Sequence, residues 1–158
     1  MALTKGQKAP DFIKTLDNGE QIQLSKVTSE YTILYFYPKD NTPGCTTQAC
    51  GIRDNLEQLE QYGATVFGVS KDTSASHGKF IEKHSLNFPL IVDPEAELAQ
   101  KYDVLKQKSM FGKKYEGIER TTFIINKDLE IVEVLEKVNP AHHVEQLLKI
   151  LEEMKQPA

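Results

Sequence analysis

The strongest constraint on the fold is a strand–helix–strand pattern in the first half of the chain. Residues 32–37 are rich in β-branched and aromatic side chains, as buried strands are, and Pro38 ends the run because it has no amide hydrogen to donate. A second run of this kind covers residues 64–70. Between the two runs, apolar residues recur at the three- and four-residue spacing of a helix that Gly63 closes, namely Ala49, Ile52, Leu56 and Leu59. Two strands joined through a helix run parallel, so the pattern predicts a crossover within one sheet.

The rest of the chain continues this alternation. In chain order the predicted elements are a helix over residues 74–85, a strand over 89–92, a helix over 94–102 capped by Asp93, antiparallel strands over 121–126 and 130–136, and a last helix from Asn139 whose apolar face holds Val144, Leu147, Leu148 and Leu151. Residues 1–25 are expected at the periphery, with a turn at 17–20 between two short extended segments. The order predicts an α/β fold in which helices flank a central mixed sheet, in one domain over residues 1–158.

Composition and charge narrow the class of protein. A chain of 158 residues with 39% hydrophobic content can bury a sufficient core without disulfides or a structural metal. It has 19 basic and 23 acidic residues without a basic cluster, which argues against a nucleic-acid partner. The N-terminus lacks the apolar core of a signal peptide, and no apolar run approaches the roughly 18 residues of a membrane span. We therefore expect a soluble, cytoplasmic protein.

Two cysteines, Cys45 and Cys50, carry the most chemical information. Thr42 occupies the position of a helix N-cap and Pro43 that of the first helical residue, so Cys45 falls in the first helical turn. Unpaired backbone N–H groups and the helix dipole favour an anion there, which favours the thiolate over the thiol. In a reducing compartment, cysteines are more often catalytic or redox-active than structural.

Less reactive interpretations of the same residues stay open at this point. A lone Cys45 could be a buried core residue, and Cys50 lies beside the apolar stripe of its helix, where it could simply pack. The two cysteines and the four histidines have no spacing typical of a zinc site, and no haem, flavin or phosphate-loop motif is present, so we expect no metal or cofactor. His142 and His143, in the first turns of the last helix, are interpreted as surface residues.

The segment from Pro38 to Cys45 resembles the active-site signature of the peroxiredoxins, thiol peroxidases built on the thioredoxin fold. The shared pattern is Pro38, three residues, Thr42, two residues and Cys45. The position of Cys50 is similar to that in the bacterioferritin comigratory protein subfamily, also called peroxiredoxin Q. Further agreement comes from Lys8 to Phe12, Ser70 to Asp72, Phe88 to Leu90 and Gly117 to Phe123, so the likeness spans nearly the whole chain.

This resemblance implies a role for each residue of the site. Cys45 would attack the peroxide, Thr42 and Arg120 would complete the pocket, and Pro38 would shield the cysteine from water. An arginine suits this task because it stays charged and offers several donors in a fixed fork. Backbone N–H groups of Gly44 and Cys45 are further candidate donors to the substrate. Without the resemblance, Arg120 would be read as a surface charge and Thr42 as a cap alone.

Cys50 is the chain's only other thiol and is implied to resolve the sulfenic acid formed on Cys45 by closing a disulfide, which a thioredoxin-like donor then reduces. Five residues along an α-helix separate two Cα atoms by about 8.7 Å. A disulfide requires about 4.4–6.8 Å. The spacing therefore predicts that the helix from Thr42 to about Gly51 unwinds locally on oxidation.

Two other functions use the same features. A thioredoxin-type thiol-disulfide oxidoreductase usually shows Cys-x-x-Cys, which this chain lacks. A redox-regulated binding protein or chaperone could use the same fold without catalysis. We favour a monomeric peroxidase that acts on hydrogen peroxide and small organic hydroperoxides.

Overall fold

In the computed structural model, which describes residues 3–155, the central element is a seven-stranded mixed sheet. Within these residues the strands are β1 (Ile13–Leu16), β2 (Gln21–Gln23), β3 (Tyr31–Phe36), β4 (Ala64–Ser70), β5 (Leu90–Val92), β6 (Leu105–Met110), β7 (Lys113–Ile118), β8 (Thr121–Asn126) and β9 (Ile131–Leu135). The sheet has the order β2-β1-β5-β4-β3-β8-β9, and β6 and β7 form a separate hairpin. Residues 1–2 and 156–158, the ends of the predicted domain, lie outside the described residues.

The predicted crossover is confirmed. Strands β3 and β4 are parallel, as are β4 and β5, and the first pair is joined through helix α1 (Pro43–Gln61). Gly63 ends this segment with a φ of +85°, a conformation that glycine adopts at little cost. On the other side of β3, strands β8 and β9 form the predicted antiparallel pair.

Helices cover both faces of the sheet. Besides α1, the described residues form the helices α2 (Ser74–His84), α3 (Glu97–Lys101) and α4 (His143–Lys155). One buried cluster joins the sheet to α1, α2 and α4, and it includes Ile33, Tyr35, Cys45, Ile52, Phe80 and Leu147. A second cluster on the opposite face joins the sheet to α3 and includes Leu34, Phe36, Leu98, Tyr102 and Phe123. This alternation along β3 is expected, because neighbouring side chains of a strand point to opposite faces.

The N-terminal segments form two short strands joined by a turn, as expected, and they extend the main sheet at its edge, where β1 pairs with β5 and β2 with β1. Two details differ from the sequence expectations. Helix α3 begins at Glu97, later than predicted. The Asp93 carboxylate nevertheless accepts hydrogen bonds from the backbone N–H groups of Leu98 and Ala99 in this helix. The last helix is preceded by a 3₁₀ turn at Pro140–His142, which Asn139 caps by accepting from Ala141 N.

The β6–β7 hairpin was not predicted. Its strands carry several lysines and few β-branched residues, so their sequences lack the alternation of apolar and polar residues that is typical of a half-buried strand. The hairpin leads directly into Glu119 and Arg120, which precede β8. Among residues 3–155, no helix is both long and apolar enough to span a membrane.

Candidate active site

Cys45 lies in the first turn of α1, at the edge of the sheet where β3 ends. Thr42 is the N-cap residue, with extended backbone angles, and its carbonyl accepts a hydrogen bond from Thr46 N at 2.8 Å. Pro43 follows as the first helical residue, as predicted. The Cys45 side chain is buried, with 1% of its surface exposed, and its thiol is free. The helix start therefore places a sulfur atom in an enclosed position beside unpaired backbone donors.

Arg120 contacts this sulfur directly. Its Nη1 donates to Cys45 Sγ at 3.1 Å. Strand register explains the proximity: Phe36, at the end of β3, pairs with Thr121, at the start of antiparallel β8, so the residues just beyond these ends meet. The backbone of Arg120 is held by Val138, whose N–H donates to its carbonyl at 3.1 Å. A guanidinium in this position stabilises a thiolate by charge and by hydrogen bonding.

A buried chain of hydrogen bonds continues from Arg120 into the core. Arg120 Nη1 also donates to Gln48 Oε1 at 3.0 Å, and Gln48 Nε2 lies 3.1 Å from His143 Nδ1. The amide nitrogen can only donate, so Nδ1 accepts and the ring proton sits on Nε2, which then donates to Thr122 Oγ1 at 2.8 Å. Because Gln48 is uncharged, this chain orients the guanidinium without neutralising it.

The expectation that His143 is a surface residue is wrong. It is buried, with 1% exposure, whereas neighbouring His142 is exposed. The 3₁₀ turn before α4 rotates His143 toward the sheet, where its ring lies 5.6 Å from the Tyr35 ring. Burial, and then the charge of Arg120, lower the pKa of His143 to about 3, so the ring is neutral at physiological pH.

The lowered pKa of His143 makes stability fall in acid. In the unfolded chain this histidine gains a proton near pH 6.5, whereas folded His143 does so only near its pKa of about 3. The free energy of unfolding therefore has the full contribution of His143 above pH 6.5 and loses it as the pH falls toward 3. From pH 7.5 to pH 5 we expect this residue to remove about 2 kcal/mol from the free energy of unfolding. In His143→Gln, the free energy of unfolding measured with denaturant should fall by about 2 kcal/mol less over this pH range. His142→Gln, the matched control, should retain the full loss; an unchanged pH dependence in His143→Gln would contradict the assignment.

Gly44 provides the space that Arg120 occupies. A Cβ atom at this position would lie 2.7 Å from Arg120 Nη2 and 3.4 Å from Pro140 Cγ. Real Cβ atoms are essentially never that close to another heavy atom, so a side chain here would displace the guanidinium. Glycine at this place thus allows the arginine to approach the helix N-terminus closely.

Thr42 and Pro38 flank the site on the loop between β3 and α1. Both are half-buried. Thr42 does not cap the helix with its side chain, contrary to the usual behaviour of threonine at this position, since its hydroxyl donates to Lys39 O at 3.0 Å. The proton of the hydroxyl is therefore engaged, and its lone pairs remain available to accept a hydrogen bond.

Cys50 lies on the same helix as Cys45, and both fall within the continuous range of α1. It is partly exposed, unlike Ala49 and Ile52 beside it, and it is not a member of either buried cluster. An intact helix holds the two Cα atoms about 8.7 Å apart, beyond disulfide reach. The structure thus brings Cys45, Arg120 and Gly44 together and keeps Cys50 apart.

Tyr35 forms part of the wall behind the cysteine. It is 1% exposed, and its hydroxyl has no hydrogen-bond partner among the described residues. Burial, and then the charge of Cys45, raise its pKa well above the ordinary value, so the phenol stays neutral. An uncharged aromatic wall keeps water away from the sulfur and strengthens the interaction with Arg120.

Sequence reasoning missed Gln48 and His143. Gln48 sits one helical turn after Cys45, so a polar residue on the buried stripe at that spacing was an available signal. His143 also had a local signal, because it precedes Leu147 and Leu151 at the four-residue spacing of the buried face of α4, whereas His142 does not.

The chain resembles known proteins in both sequence and structure. The model of the AhpC/TSA family matches residues 5–134. Peroxiredoxin Bcp of Bacillus subtilis (strain 168) is 48% identical over 154 residues, which cover 98% of each chain.

Solved structures agree as well. A mutant of Xylella fastidiosa PrxQ superposes with a TM-score of 0.93 at 36% identity, over 99% of each chain. The bacterioferritin comigratory protein of Xanthomonas campestris superposes with a TM-score of 0.88 at 33% identity, over 99% of this chain and 100% of that one. These matches confirm the thioredoxin-like fold, and the chain belongs to the peroxiredoxin family, within its Bcp or Q group.

Proposed function

We propose that this protein reduces hydroperoxides with the thiolate of Cys45 as nucleophile. The observation that carries the proposal is the 3.1 Å contact between Arg120 Nη1 and the buried Cys45 Sγ at the start of α1. A thiolate in this position is stabilised by the guanidinium and lies beside further donors at the helix start. The related Xanthomonas campestris protein has alkyl peroxide reduction activity, which supports the same substrate class here.

In the first step, Cys45 Sγ attacks the terminal oxygen of the hydroperoxide in line with the O–O bond. An S–O bond forms, the O–O bond breaks, and the departing alkoxide or hydroxide takes a proton to leave as alcohol or water. Sulfur is oxidised by two electrons to the sulfenic acid and the peroxide is reduced by two. Negative charge grows on the leaving oxygen, so donors aimed at that atom accelerate the reaction.

The pocket residues divide this work. Arg120 supplies the fixed positive charge, and the backbone N–H groups of Gly44 and Cys45 are further donors at the helix start. Thr42, whose own proton is engaged by Lys39, accepts the hydrogen of the hydroperoxide and so orients it. Pro38 shields the sulfur from water on the loop side. Each of these roles fits the side chain and its place in the structure.

In the second step, the Cys50 thiol attacks the sulfenic sulfur of Cys45, which gives a disulfide and one water molecule. The two residues cannot meet in the intact helix, so residues around Thr42 to Gly51 unwind first. Closing so short a loop contributes only about 2 kcal/mol of stabilisation through chain entropy, and loss of the helix offsets it. The disulfide is therefore readily reduced.

A thioredoxin-like dithiol completes the cycle, since exchange with the disulfide returns both cysteines to thiols and leaves the donor oxidised. Because the bridge closes within one chain, the cycle needs no second subunit, and we propose a monomer. A thiol cycle of this kind requires a reducing compartment such as the cytoplasm.

Mass spectrometry of peroxide-treated protein tests this function. Trypsin cleaves after Lys39 and Arg53, so residues 40–53 form one peptide that contains both cysteines. After one equivalent of hydrogen peroxide without reductant, we expect this peptide to lack two hydrogens and to resist alkylation. Untreated protein, the control, should be alkylated at both residues. Recovery of two free thiols after peroxide treatment would contradict the proposal.

A further inference from the structure

A buried polar cluster lies behind the loop that leads to Cys45, and the peroxidase mechanism does not use it. Its centre is Asp40, which is 5% exposed, and His77 of α2, which is fully buried. His77 Nδ1 lies 2.8 Å from Asp40 Oδ2. Ser76 Oγ donates to the same oxygen at 2.8 Å, and the Tyr37 hydroxyl donates to Asp40 Oδ1 at 2.5 Å. Both carboxylate oxygens of Asp40 are therefore engaged.

Both nitrogens of His77 face oxygen acceptors. Nε2 lies 2.9 Å from Ile91 O, while Nδ1 faces Asp40. A neutral imidazole has one N–H, so two such bonds require the imidazolium. Burial opposes this charge, but the hydrogen bond and charge of Asp40, the bond to Ile91 and the charge of Asp72 outweigh it, and the pKa of His77 is raised. The pair is thus a buried ion pair whose hydrogen-bonding groups are satisfied.

The backbone of Asp40 is held as firmly as its side chain. Its N–H donates to Asp72 Oδ2 at 2.8 Å, and Ser70, the last residue of β4, donates to the same oxygen at 2.6 Å. One loop residue is therefore attached to the end of β4, to α2 and, through His77, to β5. Asn41, which follows, has a φ of +64°, an uncommon conformation that persists where the surroundings fix it.

Asp40 lies between the two loop residues assigned to the pocket, two positions after Pro38 and two before Thr42. Thr42 is in turn the N-cap of the helix that carries Cys45. A shift of Asp40 would therefore move the acceptor for the peroxide and the first turn of α1 together.

We propose that Asp40 and His77 are positioning residues for peroxide reduction, which hold the loop at residues 38–42 so that Thr42 and the N-terminus of α1 form the closed pocket around Cys45. The inference rests on the proposed function and adds a residue pair that touches neither substrate nor sulfur. Because the first step needs the closed pocket and the second needs an unwound helix, weakening the pair slows attack on the peroxide without slowing disulfide closure.

The test measures the two steps separately in Asp40→Asn and His77→Gln. Attack is followed in the Cys50→Ser background, by rapid mixing with hydrogen peroxide and trapping of the Cys45 sulfenic acid with dimedone. Disulfide closure is followed with both cysteines present, at a peroxide concentration that makes attack fast. We expect attack to slow roughly 10- to 100-fold, as for a catalytic group misplaced by about 1 Å, and closure to be at least as fast as in the parent.

Asp93→Asn is the matched control. Asp93 is also fully buried and ion-paired, to Lys14 at 3.0 Å, but it holds α3 rather than the loop. It should lower thermal stability while leaving both rates as in the parent. If either single variant does not fold, the double variant Asp40→Asn/His77→Gln replaces it, since it leaves no unpaired buried charge.

Unchanged attack in folded Asp40 or His77 variants would overturn the proposal, as would equal slowing of both steps, which a purely structural role would produce. Failure of the proposed function looks different, because the parent itself would then form no sulfenic acid at Cys45.

Discussion

Replacing Cys45 by serine should abolish peroxide reduction, with the rate falling more than about 1,000-fold. The substitution keeps the size of the side chain and its contact with Arg120, but a serine hydroxyl in this pocket has no adjacent base to ionise it and is a much weaker nucleophile than a thiolate. The measurement is hydrogen peroxide consumption by the reduced protein, with and without a thioredoxin-like donor.

Cys50→Ser is the informative companion variant. With the donor present, the parent turns over repeatedly, whereas this variant should consume one equivalent of peroxide at nearly the parent rate and then stop, because the sulfenic acid forms but cannot be resolved within the chain. A Cys45→Ser protein that consumed peroxide at the parent rate would refute the nucleophile assignment and, with it, the mechanism.

Arg120→Lys should slow the first turnover about 100-fold, comparable to loss of an oxyanion donor. Lysine keeps the positive charge but concentrates it on one nitrogen, whereas Arg120 donates from Nη1 to both Cys45 Sγ and Gln48 Oε1 and carries further N–H donors on the same planar group. The loss should appear in the rate of sulfenic acid formation, measured by rapid mixing and trapping.

The chain's only other arginine provides the control. Arg53 lies further along α1, where it pairs with Asp54 and donates to His84 O. Arg53→Lys should leave the rate of the first turnover within about twofold of the parent rate, because a partly exposed ion pair contributes little. An Arg120→Lys protein as fast as Arg53→Lys would show that the contact seen in the structure does not assist the reaction.

The elements whose sequence signals are local could be predicted. The strand ending at Pro38, the Thr42–Pro43 helix start and the apolar stripe of α1 depend on nearest neighbours, and the structure has them within about one residue. Cys45 follows from the same local logic, because its reactivity depends on its position in the first helical turn.

The hydrogen-bond networks of the supporting residues could not be predicted, because their partners come from distant parts of the chain. The buried ring of His143 is bonded to Gln48 of α1 and to Thr122 of β8. Asp40 and His77 each look like ordinary loop and helix-surface residues until α2 packs beside the loop. Burial of a polar side chain requires partners that sequence spacing does not reveal.

If α1 partly unwinds in each turnover, as proposed here, amide hydrogen exchange will detect it. Protection of residues 42–56 is compared between the reduced protein and the protein oxidised by one equivalent of peroxide, with α2 (Ser74–His84) as an internal reference. We expect a marked loss of protection over residues 42–56 in the oxidised protein and none in α2. Equal protection of residues 42–56 in both states would contradict it.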